Sequence, residues 1–203
     1  KDTIAAHKRI IFNGNGYSDE WVVEAERRGL PNIKCMVDAV PALVKPEAVE
    51  IFEKHGVYTK AEMESRAEVM YETYSKTINI EALTMIDMAK KQIVPATIKY
   101  QTSLAESVNA IKAASSAVDT SVQEALMADI STNLKDMYAA LAHLEEVAGK
   151  AEAMEEGAEQ GHYYHDVVFT AMDELRKPAD KLEMLVAKSA WPFPSYGDLI
   201  FEV

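Results

Sequence analysis

Residues 59–100, TKAEMESRAEVMYETYSKTINIEALTMIDMAKKQIVPATIKY, decide the fold. The stretch opens with T-K-A-E, a pattern in which the Thr59 hydroxyl and the Glu62 carboxylate each satisfy a free backbone N–H at a helix start. Apolar or small residues then recur at Ala67, Tyr71, Tyr74, Ile78, Ala82, Met85, Ala89 and Ile93. Tyr100, Leu104, Val108 and Ile111 extend the series. Most spacings are three or four, the period of an α-helix. Around Ile78 to Val94 the apolar residues cover more than one face, so this part is expected to be the central, most buried helix. Pro95 lies inside the pattern and predicts a kink, because proline removes one helical hydrogen bond.

Two further helices follow. AASSAVDT at 113–120 reads as a turn, and SVQE at 121–124 as a second capping box. Val122, Leu126, Ile130, Leu134, Met137, Leu141 and Leu144 then form one stripe. Residues 145–161, EEVAGKAEAMEEGAEQG, are acidic, glycine-punctuated and poor in large apolar groups. They are expected to hold the helix end and a mobile loop. A last helix over about 163–188 lines up Val168, Met172, Leu175, Ala179, Leu182 and Val186, with Pro178 as an interruption. Three long helices with matched stripes and short turns predict an all-α antiparallel bundle. No alternating apolar–polar run is long enough to force a sheet.

The N-terminal part reads as shorter helices. Residues 1–12 look like the end of a helix, with Ile4, His7, Ile10 and Ile11 near one face. The chain begins without methionine and in mid-helix, as an excised piece of a longer protein would. Asn-Gly-Asn-Gly at 13–16 stops that helix, and Ser18, Asp19 and Glu20 suit the start of the next. The G-x-G of this loop lacks the lysine and Ser/Thr of a Walker loop, and the strand and third glycine of a dinucleotide fingerprint. A helix connection is therefore expected rather than a phosphate cradle. Gly29 with Pro31 ends the second helix, Pro41 marks a break, and PEAVEIFEKHG at 46–56 forms a short helix. The expected organisation is a connecting segment at 1–58, the long-helix bundle at 59–188 and an extended tail at 189–203.

With 48% hydrophobic residues, only 8 glycines and 7 prolines, the chain has the makings of a packed helical core. A formal charge of −12 repels phosphate backbones, so nucleic acid is not an expected partner. No apolar run approaches the roughly 20 residues of a membrane span, and Cys35 is the single cysteine. A cytoplasmic setting is the expectation. The best metal candidate is EQGHYYHD, where Glu159 and His162 form E-x-x-H and His165 follows one turn on. A carboxylate-bridged di-metal bundle needs a second such motif, and none exists, so these histidines are expected at the surface near a helix start. The tail, WPFPSYGDLIF at 191–201, carries Trp191, Phe193, Tyr196, Leu199, Ile200 and Phe201. These aromatic and aliphatic groups are interface candidates, folding back on the bundle or covering a neighbour. An Ala/Ser-rich texture at 103–126 leaves a free-standing signalling coiled coil as the alternative, and the prolines count against it.

Three stretches carry a family resemblance. HKRIIFNGNGYSDEWVVEAERRGLPN (7–32), KTINIEALTMIDMAKKQIVPA (76–96) and the ending AKSAWPFPSYGDLIFEV (187–203) resemble the C-terminal region of type III glutamine synthetases, in the same order. The resemblance implies a parent enzyme that joins ammonia to glutamate with ATP and magnesium or manganese. It implies that the metal- and phosphate-binding motifs lie upstream of Lys1, so that no residue here is catalytic or holds a cofactor or metal. It also implies a structural role, packing on the parent's catalytic domain and on neighbouring subunits.

Overall fold

A computed structural model of the chain describes residues 1–194 and 196–201. It divides into two compact units, Lys1–Ala67 and Glu68–Val203. The division falls inside one long helix.

In the first unit a short helix α1 (Asp2–Ala6) and a 3-10 turn (Lys8–Ile10) precede the Asn-Gly loop. Regular helix therefore ends earlier than the expected residue 12, and Ile4, Ile10 and Ile11 are exposed. Helices α2 (Asp19–Arg27), α3 (Met36–Leu43) and α4 (Pro46–Lys54) follow. α2 and α4 end alike. Gly29 and Gly56 have φ of 65° and 63°, a left-handed conformation that glycine adopts without strain. Leu30 N–H then reaches the Ala25 carbonyl, and Val57 N–H the Phe52 carbonyl, closing the last turn of each helix. Pro41 does not break the chain as expected; it sits within α3 on its exposed side. The buried apolar side chains of this unit are Ala25, Val37, Val40, Val49, Met63 and Ala67.

The predicted capping box opens α5 (Lys60–Met88). Thr59 N–H donates to Glu62 Oε2 at 2.7 Å, and Glu62 N–H points back to Thr59 Oγ1 at 3.4 Å. α5 passes through a π turn, Ala89–Ile93, into α6 (Val94–Ala114). Ala89, Ile93 and Thr97 are all buried at successive spacings of four. In an uninterrupted α-helix each such step drifts about 40° around the axis. The wider winding of a π turn keeps the three on one face. Pro95 follows directly after the π turn in this unbroken helix, at a position where it can donate no helical hydrogen bond.

α7 (Ser121–Glu152) runs back along α6 and then pairs along its length with α9 (Phe169–Leu185). Its start differs from the expected box by a residue or two. Ser121 is already helical, and Asp119 Oδ1 accepts the Ser121 N–H at 2.9 Å, while Glu124 takes Thr120 Oγ1 at 2.8 Å and pairs with Lys112. Val122, read as a core position, is 77% exposed in this first turn.

The acidic segment at 145–161 is corrected most. α7 continues through it to Glu152, with Val147, Ala148 and Ala151 buried. Only residues 153–157 separate it from α8 (Ala158–Tyr163), which passes through a second π turn, Tyr164–Val168, into α9. Small residues, not large ones, make this contact, so composition alone mistook a packed helix for a loop. Pro178 stays inside α9 and is buried there.

Ile78, Ala82, Ile130, Met137, Leu141, Leu144, Val168, Leu175 and Leu182 belong to one core shared by these helices. The tail is not extended as expected: it opens in a turn, with the Ala190 and Trp191 N–H groups both donating to the Ala187 carbonyl. It contains a six-residue helix, α10 (Tyr196–Phe201).

Candidate functional site

The Asn-Gly loop packs on itself. Asn15 Oδ1 accepts the Tyr17 N–H at 3.0 Å and its carbonyl accepts Ser18 Oγ at 2.9 Å. Ser18 therefore caps the loop rather than α2, which shows no side-chain cap. The Phe12 ring lies against the Trp21 ring, with centroids 4.8 Å apart, and the Arg28 guanidinium sits over it at 5.8 Å. A Cβ added at Gly14 would collide with that ring, which explains glycine there. Arg28 also donates to the carbonyls of Arg9 and Ile11. It shares Glu24 with Arg27; hydrogen bonds from Arg27 and then Arg28 hold the Glu24 carboxyl well below its usual range, at about 2. The loop is thus a knot that fixes how the chain enters α2.

The metal candidates do not converge. Glu159 is exposed in the first turn of α8. His162 lies beside the Tyr71 ring and His165 beside the Tyr74 ring, each with centroids 6.4 Å apart. His165 Nδ1 is 2.7 Å from Asp166 Oδ1. Among the described residues no group of three or more His, Cys, Asp or Glu could hold a metal ion. The residues present therefore do not fit a divalent metal, and no chemical step is assigned through one. Also among the described residues, no helix is long and apolar enough to cross a membrane.

The tail candidates separate into two sets. Trp191 and Phe193 pack against the core, their rings edge to face at 6.2 Å. Leu199, Ile200 and Phe201 on α10 are exposed at 64, 66 and 82%. The Tyr196 side chain lies outside the described residues. Lys188 pairs with Asp198 and ties α10 to the end of α9.

One surface was missed in sequence. The helix read as most buried presents Ile80 at 66% and Leu83 at 48% exposure, and Phe169 on α9 is 51% exposed. Ile80, Thr84, Met85, Phe169 and Met172 line a groove of about 500 Å³ between α5 and α9. The charged Glu81, Asp173 and Arg176 line it as well, and exposed apolar surface bordered by polar residues marks interaction sites. The clue in the sequence was the second apolar face around Ile80 and Leu83, which a single core did not require.

The fold and its surfaces define an all-helical bundle domain whose distinctive features are exposed apolar faces. The chain belongs to the glutamine synthetase C-terminal domain family, which matches residues 1–112. It is 39% identical over 203 residues to a glutamine synthetase of Butyrivibrio fibrisolvens, covering 100% of the chain and 29% of that protein. It is 29% identical over 205 residues to the type-3 glutamine synthetase of Dictyostelium discoideum, covering 99% of the chain and 28% of that protein. A glutamine synthetase of Bacteroides fragilis (strain YCH46) is 30% identical over 205 residues, again with 28% of its length covered. The chain thus spans less than a third of each relative, in their C-terminal region.

Proposed function

We propose that this chain is the helical C-terminal part of a type III glutamine synthetase and serves that enzyme as a packing and docking element. The parent joins ammonia to L-glutamate with ATP and magnesium or manganese, in the cytoplasm, using residues outside this chain. The chain itself contributes no catalytic group. The observation that carries the reading is the match of the whole chain to the C-terminal 29% of a glutamine synthetase. The exposed apolar side chains supply its physical content. Ile80, Leu83 and Phe169, and separately Leu199 and Phe201, are large groups left about half or more exposed, and each gains on burial a matching part of the about 1.5–3 kcal/mol that a wholly exposed side chain would gain. In the enzyme they pack against the catalytic domain and neighbouring subunits.

The test is a full-length enzyme carrying Ile80→Ser, Leu83→Ser and Phe169→Ser together. These positions are at the surface of the bundle, so the isolated chain should keep its helical circular dichroism. Light scattering of the full-length variant should show loss of assembly. An assembly of unchanged mass and activity would refute the docking role of this face.

A further inference from the structure

A second cavity, of about 210 Å³, lies where α5, α7 and α9 meet the tail. Met85 and Met88 from α5, Met137 from α7 and Ala179 from α9 line it, and the π turn contributes Ala89 and Ile93. Trp191 and Phe193 close one side, each half-buried. Three charged residues of α9, Arg176, Asp180 and Glu183, stand on its rim. Arg176 Nε is committed to Asp180 at 3.3 Å, whereas Glu183 makes no ion pair among the described residues. The rim therefore carries a net negative charge over an apolar interior.

Each part narrows the ligand. An apolar cavity of about 150 Å³ takes up benzene, so this one suits a single ring with a short alkyl arm. Methionine side chains are flexible and polarizable, and pack well against ring edges. A carboxylate without an ion pair among the described residues favours a cation over an anion, and an aromatic ring adds to this where it presents its face. Sites of this kind recur between the helices of bundles, and π turns recur at functional positions. We propose that this cavity binds a small arylalkyl amine, with its ring among Met85, Met88 and Met137 and its ammonium group toward Glu183. The inference does not depend on the glutamine synthetase reading and can fail separately from it.

The whole 203-residue chain, with Trp21→Phe so that Trp191 is its single tryptophan, serves as the reporter. 2-Phenylethylamine is titrated against Trp191 emission. 3-Phenylpropionate keeps the ring and reverses the charge, and ethylamine keeps the charge without the ring. A saturable response is expected for 2-phenylethylamine and none for ethylamine. The carboxylate should bind about fivefold or more weakly, the scale of one exposed charge pair. Glu183→Gln should narrow that gap to about twofold or less, and Ala179→Leu should fill the cavity and abolish the response. Glu183 is exposed, so its variant remains informative if Ala179→Leu disturbs folding. No saturable response from a folded chain, equal affinity for amine and carboxylate, or unaltered binding in a folded Ala179→Leu chain would each overturn the proposal.

Discussion

Truncating Leu141 to alanine tests where the bundle's stability resides. Leu141 is 1% exposed on α7 and belongs to the core it shares with α5 and α9. The change deletes three carbon groups, each worth about 0.8 kcal/mol of transfer free energy, or roughly 2.4 kcal/mol in total. Neighbouring helices relax only in part, and each Å³ of residual cavity adds about 24 cal/mol. A residual void of about 50 Å³ brings the cost to roughly 3.5 kcal/mol, inside the range of about 2–5 kcal/mol for such truncations. For a chain of this size that corresponds to a fall in Tm of about 7–14 °C. Ile80→Ala removes a similar volume from a side chain that is 66% exposed, and should stay within about 0.5 kcal/mol. Urea denaturation of the Trp21→Phe chain, followed through Trp191 emission, reports on the unit containing both sites. Comparable losses at the two positions, or a loss below about 0.5 kcal/mol at Leu141, would refute the assignment of core and surface.

Other outcomes follow from the same structure. Glu24 has a folded-state pKa near 2, below its usual 4.5, so the unfolded chain binds more protons between those values. Its stabilising contribution is complete above about pH 4.5 and is lost as pH falls toward 2; the difference in denaturation midpoint between the parent chain and Glu24→Gln should shrink across that window. Thr59→Ala removes the cap of α5 and should cost about 0.5–2 kcal/mol by urea denaturation. Trp191→Ala should cost about 2 kcal/mol, less than the roughly 3–5 kcal/mol of a fully buried tryptophan, whereas ending the chain after Pro194 should change stability by no more than about 0.5 kcal/mol.

Much of the bundle was legible because large apolar residues mark a helix stripe at a period of three or four. Ile130, Met137, Leu141 and Leu144 fell on that stripe and are all buried. The capping box at Thr59 and Glu62 was legible because its two side chains act locally. Two features escaped. Ala148 and Ala151 bury as completely as leucines, because small side chains let two helices approach closely, yet they lower the local hydrophobicity and imitate a loop. The exposure of Ile80, Leu83 and Phe169 escaped because the pattern records that a residue is apolar, not whether its partner is this bundle or another surface. The π turns left no trace in the spacing of apolar residues. Steps of four between buried residues, as at Ala89, Ile93 and Thr97, do not mark them, because Met63, Ala67, Tyr71 and Ser75 are buried at the same steps within the regular helix α5.

The proposed division of labour, chemistry elsewhere and packing here, is tested most directly by glutamine formation. Purified chain is incubated with glutamate, ammonia, ATP and magnesium, beside the full-length enzyme at equal molar concentration. The full-length enzyme should form glutamine, and the chain alone should give no turnover above a protein-free blank. Steady ATP-dependent glutamine formation by the chain itself would contradict the account.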